Sequence, residues 1–320
     1  MKEINIMEVG GFKVGHAQDM EAATGCTVML FDRVSPAGVD VRGGGPASRE
    51  TPLLNPVADA KGLHALVLSG GSAFGLDAAG GVMKYLEERD IGFDVGVTKV
   101  PLVCQSSLFD LVIGRCDVRP DQTMAYAACE AASYEKMEEG NVGAGTGCTV
   151  GKYRGADFCM KSGIGSFAVQ VGDLKVGAIV AVNALGDVYD LETGKEIAGL
   201  RTPEGGLRST EEEMWGDVSN MHDLFTGNTT IGTILTNASM DKTILNKVAS
   251  MAHNGYARTI RPVHTTADGD SIYAVSVGDV PGDVNIVGTL AAYVMGKAVN
   301  QAVRSAKGMC GFPAAEDLNL

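Results

Sequence analysis

The stretch that decides the fold is Gly227-Asn228-Thr229-Thr230, followed by the apolar run Ile231-Gly-Thr-Ile-Leu-Thr236. Gly-Asn permits a sharp turn, and the run is typical of a buried strand. A chain that cleaves itself needs this order: the Thr229 hydroxyl attacks the preceding carbonyl, and the strand holds the freed residue. Thr229 would then carry a nucleophile and an α-amino group whose reference pKa is about 7.7–8.0. Alone, the four residues fit an ordinary turn better, so the hypothesis depends on the rest of the chain.

Composition excludes several classes of protein. The chain has 320 residues, of which 45% are hydrophobic and 20% charged, so it can bury a full core. Its 43 glycines predict many tight turns and close backbone approaches. The formal net charge of −13 argues against a nucleic-acid partner and against an anionic membrane surface.

Cysteine usage and the N-terminus indicate a reducing compartment. The seven cysteines are odd in number and form no Cys-x-x-Cys pair, which argues against a disulfide framework or a zinc site. The first residues lack the apolar core of a signal peptide. No apolar run approaches the ~18 residues of a membrane span. We therefore predict a cytoplasmic protein that does not insert in a membrane.

Short apolar strands alternate with amphipathic helices, which predicts an α/β layered protein. Ser72 and Asp121 are expected to cap the N-termini of the helices that start there, and Gly255 is expected to end a third helix. The predicted strands cover 63–69, 176–184, 231–236 and 271–277, and the predicted helices cover 72–88, 121–136, 239–255 and 284–306.

Residues 186–226 are polar and carry few strand signals, so they predict a long connection just ahead of the proposed cut. We find no low-complexity linker and no internal repeat. The sequence therefore predicts a single domain, 1–320, that self-cleaves into two chains, 1–228 and 229–320.

Two glycine-rich motifs do not carry the chemistry that they resemble. Gly70-Gly-Ser-Ala-Phe74 has phenylalanine where a nucleophile elbow needs glycine. Gly145-Thr-Gly-Cys-Thr-Val-Gly-Lys-Tyr153 fails the Walker spacing, and no Gly-x-Gly-x-x-Gly opens a βαβ unit. We predict no cofactor.

Two weaker candidates are a metal site and a reactive thiol. His264 lies close in sequence to Asp268 and Asp270, but one histidine and two carboxylates are a weak metal constellation, so we predict no metal. Cys104 has no base that can be named for it, and a small buried residue is the better interpretation.

Three further segments supply what an amide-cleaving threonine requires. Asp268-Gly-Asp270 precedes the strand predicted for 271–277, so both carboxylates can face one site and handle the hydroxyl or amine proton. The interpretation without chemistry is a common Asp-Gly turn. Asn183 ends an apolar run and either caps a turn or donates to an oxyanion. Lys152 can steady a charge there, although most lysines face solvent.

Taken together, these segments resemble the L-aminopeptidase/D-esterase or β-peptidyl aminopeptidase family, which includes the nylon-oligomer hydrolases. The resemblance runs in collinear order along nearly the whole chain. It rests on Val41-Arg-Gly-Gly-Gly-Pro46, Arg49-Glu-Thr51, Leu68-Ser-Gly-Gly-Ser-Ala-Phe-Gly-Leu-Asp-Ala78, Gly140-Asn-Val-Gly-Ala-Gly-Thr-Gly147, Met160-Lys-Ser-Gly-Ile-Gly165, Gly227-Asn-Thr-Thr230, Arg261-Pro-Val-His-Thr265 and Asp268-Gly-Asp270.

The resemblance implies an αββα sandwich of two central sheets flanked by helices, with N-terminal-nucleophile architecture, assembled as a homo-oligomer. It implies cleavage between Asn228 and Thr229, with Thr229 as the nucleophile. The acidic pair falls on Asp268 and Asp270, and the oxyanion asparagine on Asn183. The site lysine falls on Lys152, with Lys161 as the alternative.

Two departures from the family pattern concern the substrate. Phe109 stands where peptidase members have a tyrosine near the substrate, and the Val103-Cys-Gln-Ser-Ser107 segment differs from the usual apolar stretch. The implied substrates are short peptides or related amides and esters. Two alternatives stay open: an acyltransferase of related architecture, like the ornithine acetyltransferases, and a non-catalytic binding relative that stays uncut.

Overall fold

The computed structural model describes residues 1–218 and 227–318. The α-helices are α1 (Ala78–Glu87), α2 (Gln122–Glu130), α3 (Thr210–Gly216), α4 (Lys242–Thr259) and α5 (Val284–Arg304). Short 3-10 turns cover Ile6–Val9, Thr51–Leu54, Ser72–Asp77, Gly143–Gly145, Ala156–Phe158 and Ala315–Asp317. The strands are β1 (Lys2–Ile4), β2 (Phe12–Asp19), β3 (Thr24–Ser35), β4 (Ala37–Val41), β5 (Ala47–Arg49), β6 (Leu63–Ser69), β7 (Phe93–Asp94), β8 (Lys99–Val100), β9 (Val103–Ser107), β10 (Thr149–Val150), β11 (Met160–Lys161), β12 (Ile164–Val171), β13 (Leu174–Ala181), β14 (Asp187–Tyr189), β15 (Glu196–Ala198), β16 (Ile231–Ala238), β17 (Ile260–Arg261) and β18 (Ser271–Val280).

Two sheets form the centre of the molecule. Sheet 1 has six strands in the order β1-β12-β13-β16-β18-β4, and sheet 2 has five in the order β2-β3-β6-β9-β5. In sheet 1, β16 pairs antiparallel with β13 and parallel with β18. The central strands are apolar on both faces, because both faces are covered.

Three apolar clusters define four layers. One cluster joins the inner faces of the two sheets, for example Phe12 and Leu68 of sheet 2 with Ile179 and Leu235 of sheet 1. A second lies between sheet 1 and helices α4 and α5, and a third between sheet 2 and helices α1 and α2. The predicted αββα sandwich is therefore confirmed.

Several predicted elements are confirmed and others end elsewhere. Strand β6 has the predicted bounds, and Asp121 caps α2 by accepting a hydrogen bond from the N–H of Met124. The expected cap at Ser72 is wrong: Ser72 has φ +54°, and a 3-10 turn precedes α1. Helix α2 ends at Glu130, six residues before the predicted end.

Helix α4 begins at Lys242 with Asp241 as its cap, and it continues through Gly255 to Thr259. Gly255 lies in the helix because α5 crosses there; a Cβ on it would lie 2.6 Å from the Ala292 carbonyl oxygen. It marks close helix packing, not a helix end.

The long connection predicted for 186–226 contains short elements of its own, namely β14, β15 and α3. Its last part, residues 219–226, lies outside the described residues. In the part of the chain that the structure describes, no helix combines the length and apolar character that crossing a membrane demands.

Candidate active site

The start of two neighbouring strands brings the predicted residues together. Strands β16 and β18 run parallel with Ile231 opposite Ser271, and the pairing continues backwards as a bridge between Asn228 and Asp268. Residues just before the two strands therefore lie side by side. Thr229 is in this way placed against the Asp268–Asp270 turn.

The peptide bond before Thr229 is held from several directions. The Thr229 hydroxyl donates to the carbonyl oxygen of Asn228, its own preceding residue. The N–H of Gly269 donates to that same oxygen at 2.9 Å. The N–H of Thr229 donates to the Asn183 carbonyl oxygen at 2.9 Å. Thr229 is buried, with 4% of its surface exposed.

Gly269 is a functional candidate that no sequence pattern singles out. A Cβ on it would lie 2.8 Å from the Thr229 hydroxyl oxygen and 2.9 Å from the Gly45 carbonyl oxygen, so only glycine fits without a shift. The available signal was the glycine between two aspartates in a turn. No local pattern indicates the direction of its N–H.

Lys152 and Asn183 form a buried pair beside the same bond. Lys152 Nζ donates to Asn183 Oδ1 at 2.6 Å and to the Gly227 carbonyl oxygen at 3.3 Å. Asn183 Nδ2 donates to the Phe109 carbonyl oxygen at 2.8 Å. Burial lowers the pKa of Lys152 to about 8. The asparagine thus both ends a strand run and reaches the site.

Lys161, the alternative site lysine, lies elsewhere. Its Nζ donates to the backbone carbonyl oxygens of Gly145, Cys148 and Ser162. It supports the glycine-rich turn, and the geometry favours Lys152 as the lysine of the site.

The two aspartates have different partners. Asp268 Oδ2 accepts from the Thr265 N–H at 2.7 Å and from the Thr265 hydroxyl at 2.6 Å. Burial and the neighbouring Asp270 charge raise the pKa of Asp268 to about 6. Asp270 Oδ1 accepts from the Thr230 N–H at 2.8 Å, which fixes the backbone directly after Thr229.

His264 holds the other oxygen of Asp270. Its Nδ1 lies 2.9 Å from Asp270 Oδ2, and its backbone N–H donates to the same oxygen at 3.2 Å. From the sequence alone, this histidine stands out only as a weak candidate for a metal ligand. Within residues 1–218 and 227–318, no three His, Cys, Asp or Glu side chains gather as a metal-binding group.

Phe109 packs directly against the segment before the proposed cut. Gly227 has φ +63°, and a Cβ on it would lie 2.2 Å from the Phe109 ring.

Cys104 lies in the neighbouring strand β9, which is buried. Burial raises the pKa of its thiol to about 12, so Cys104 is not a reactive thiol.

The chain is similar to known proteins along nearly its whole length. The model of Peptidase family S58 matches residues 5–316. A Mycobacterium tuberculosis protein named an uncharacterized aminopeptidase is 36% identical over 344 residues, covering 98% of this chain and 97% of the relative. A 6-aminohexanoate-oligomer endohydrolase of Agromyces sp. is 29% identical, covering 94% of this chain and 86% of the relative.

Among solved structures, the L-aminopeptidase D-Ala-esterase/amidase of Ochrobactrum anthropi, described as a variant of the Ntn-hydrolase fold, superimposes with a TM-score of 0.73 at 18% identity. The match covers 98% of this chain and 89% of that one. The fold is therefore that of the Ntn hydrolases. The chain belongs to peptidase family S58 and is a hydrolase of peptide or related amide bonds.

Proposed function

We propose that this chain is the precursor of a self-processing N-terminal-threonine amide hydrolase of aminopeptidase type. The observation that carries the proposal is the peptide bond between Asn228 and Thr229. Its carbonyl oxygen accepts from the Thr229 hydroxyl on one side and from the Gly269 N–H on the other. A nucleophile and an oxyanion donor thus meet at one carbonyl.

Maturation begins with an N-to-O acyl shift. Thr229 Oγ1 attacks the Asn228 carbonyl carbon, the C–N bond breaks, and the hydroxyl proton ends on the amine. The Gly269 N–H stabilises the oxyanion of this step. Water then hydrolyses the ester, which leaves a carboxylate on Asn228 and a free α-amine on Thr229. The products are the chains 1–228 and 229–320.

Turnover uses the freed residue in a covalent two-step reaction. The α-amine accepts the hydroxyl proton while Thr229 Oγ1 attacks the substrate carbonyl carbon. The substrate C–N bond then breaks, and the leaving amine takes up that proton. Water finally hydrolyses the acyl-threonine ester, which releases the acid and restores the hydroxyl. Asn183, oriented by Lys152, supplies an oxyanion donor once its amide leaves the Phe109 carbonyl. Asp268 and Asp270 flank the amine and handle its proton.

The substrates that we propose are short peptides and related amides or esters, with Phe109 at the pocket. The names of the relatives, aminopeptidase and 6-aminohexanoate-oligomer endohydrolase, support a peptide or related amide bond as the target. We further propose a cytoplasmic homo-oligomer of cleaved protomers; the seven cysteines are all free, which fits a reducing compartment.

The intact mass of the purified protein under denaturing conditions tests the proposal. Two pieces split between Asn228 and Thr229 support it, and one uncut chain of 33.2 kDa contradicts it. Thr229→Ala should stay uncut and inactive on amides. Thr230→Ala is the matched control, because it removes the adjacent buried hydroxyl and should still be cleaved. An uncut Thr229→Ala protein that hydrolyses amides would sink the assignment.

The acyltransferase alternative is tested with the cleaved protein. An acyl-donor amide is offered together with an amine, and the two products are separated by mass. Hydrolysis product in excess supports the proposed hydrolase. Acyl exchange in excess over hydrolysis supports the transferase.

A further inference from the structure

Three aromatic side chains pack together behind Asp270. We call His264, His253 and Tyr256 the imidazole cluster. The ring centroids of His253 and His264 are 4.7 Å apart, those of His253 and Tyr256 5.4 Å, and those of Tyr256 and His264 6.1 Å. His253 and Tyr256 are fully buried on α4, and His264 lies in the turn before β18.

Each member has one buried polar atom without a hydrogen-bond partner among the described residues. These atoms are His264 Nε2, His253 Nδ1 and Tyr256 Oη. Buried polar atoms are nearly always paired, because an unpaired one forfeits its hydrogen bond to water. Three such atoms on three touching rings therefore call for one common explanation.

The hydrogen positions of the cluster follow from its other contacts. His253 Nε2 faces the Asp40 carbonyl oxygen at 3.0 Å, so this nitrogen carries the proton. Burial lowers the pKa of His253 to about 4, so the ring is neutral and its Nδ1 is an acceptor. His264 Nδ1 faces the Asp270 carboxylate, which accepts hydrogen bonds, so this nitrogen also carries a proton.

We propose that His264 is a positioning residue for Asp270, and that one water molecule bound by His264 Nε2, His253 Nδ1 and Tyr256 Oη fixes its ring. Water complements this set, because it can donate to two imidazole nitrogens and accept from one phenol. The bound ring then holds Asp270 Oδ2 while the Thr230 N–H holds Oδ1. Asp270 is thereby fixed at both oxygens.

The backbone of His264 supports a positioning role. Its φ of +62° lies in the left-handed region, which costs free energy in a residue with a side chain. That conformation lets the backbone N–H and Nδ1 reach the same carboxylate oxygen. The inference rests on the proposed function only through the role of Asp270.

The first test is a high-resolution crystal structure of the Thr229→Ala precursor. We expect a sharp water peak within hydrogen-bond distance of the three named atoms. A dry cluster, or a water that contacts none of the imidazole nitrogens, overturns the water site. This test does not depend on cleavage, so it separates the inference from the proposed function.

The second test is the self-cleavage rate, followed by pulse-chase after cell-free synthesis. Tyr256→Phe removes one ligand of the water and should slow cleavage roughly three- to tenfold. Tyr273→Phe is the matched control, since it removes an equally buried hydroxyl that pairs with Ser106 Oγ at 2.8 Å. Equal rates for the two variants overturn the inference.

A third variant separates positioning from packing. His264→Gly keeps the left-handed backbone without strain and removes the ring. Cleavage should be slow in this variant and should recover when free imidazole is added. A folded His264→Gly protein that cleaves at the wild-type rate, or that imidazole does not restore, overturns the positioning role.

Discussion

The N–H of Gly269 donates a 2.9 Å hydrogen bond to the carbonyl oxygen of Asn228. That oxygen would carry the negative charge when the Thr229 hydroxyl attacks. The donor belongs to the backbone of the turn between the two aspartates. The turn therefore contributes an N–H to the proposed maturation step as well as two carboxylates.

Gly269→Ala should slow self-cleavage strongly. Its Cβ would meet the Thr229 hydroxyl at 2.8 Å and push the donor and the nucleophile apart. Loss of one oxyanion donor costs roughly 10²–10³ in rate. Gly45→Ala is the matched control, because its nearest contact, the Asp268 carbonyl oxygen, is a comfortable 3.8 Å away. Pulse-chase rates for the two variants check this, and equal rates would contradict it.

Lys152→Met and Lys161→Met should have opposite effects on self-cleavage and on thermal stability. The first removes the donor to Asn183 Oδ1 and Gly227, so cleavage should fall by roughly 10²-fold or more while the fold is kept. The second removes one donor from each of three buried carbonyl oxygens, so the melting temperature should fall while cleavage persists. Gel assays and calorimetry on both variants separate chemistry from stability. A Lys161→Met protein that is stable but uncut would reverse the assignment.

Asp268→Asn should stabilise the uncut Thr229→Ala protein at neutral pH. The pKa of Asp268 is raised to about 6 by burial and by Asp270, so the folded state keeps a proton that the unfolded chain releases between about pH 4 and 6. Stability therefore falls as pH rises through that window. The Asp268→Asn variant does not lose stability in this way. Its melting temperature should therefore exceed that of the parent by a few degrees at pH 7–8 and match it near pH 4.

The control for that experiment is Asp270→Asn in the same background. The oxygens of Asp270 accept from three N–H donors, which an amide nitrogen would oppose. Its melting temperature should therefore fall. A difference in melting temperature between Asp268→Asn and its parent that does not change with pH would count against the raised pKa of Asp268.

Phe109→Tyr should change the choice of substrate without changing maturation. The substitution keeps the backbone carbonyl that receives Asn183 Nδ2, and it adds a hydroxyl to a ring that lies against Gly227. We expect an unchanged cleavage rate and a shifted ratio of kcat/KM between two chromogenic amides, one from an α-amino acid and one from a β-amino acid. An unchanged ratio would place Phe109 outside the pocket.

Hydrolysis should decline at acid pH in the mature enzyme. The proposed base is the Thr229 α-amine, whose reference pKa is about 7.7–8.0, and its protonated form cannot accept the hydroxyl proton. The measurement is kcat/KM between pH 5 and 9 on one amide. A profile that stays flat down to pH 5 would exclude the α-amine as the base.

Local sequence patterns predicted the strands around the site well, because an apolar run at a sheet centre needs no tertiary information. Asp121 could likewise be predicted as a cap from its own short side chain. The resemblance assigned Asp268 and Asp270 to the same site as Thr229, because no local pattern shows which strands are neighbours. In the structure, the parallel pairing of β16 and β18 aligns the two strand starts.

The features that the sequence did not reveal depend on contacts between distant segments. Gly255 lies inside α4 because of α5, which no local pattern shows. The N–H direction of Gly269 and the left-handed backbone of His264 are set by the turn as a whole. Only the resemblance ranked Lys152 ahead of Lys161 as the site lysine, because the burial of both side chains and the partners of each depend on distant segments.

The pairing of β16 with β13 has a consequence for the mature molecule. A cut before Thr229 makes β16 the first strand of the new chain, while β13 stays with the other chain. The two strands are joined by six residue pairs at the centre of sheet 1. The same core also receives α4 and α5 from the second piece. Maturation would therefore cut one chain into two that share a hydrophobic core. The two chains should dissociate only when both unfold.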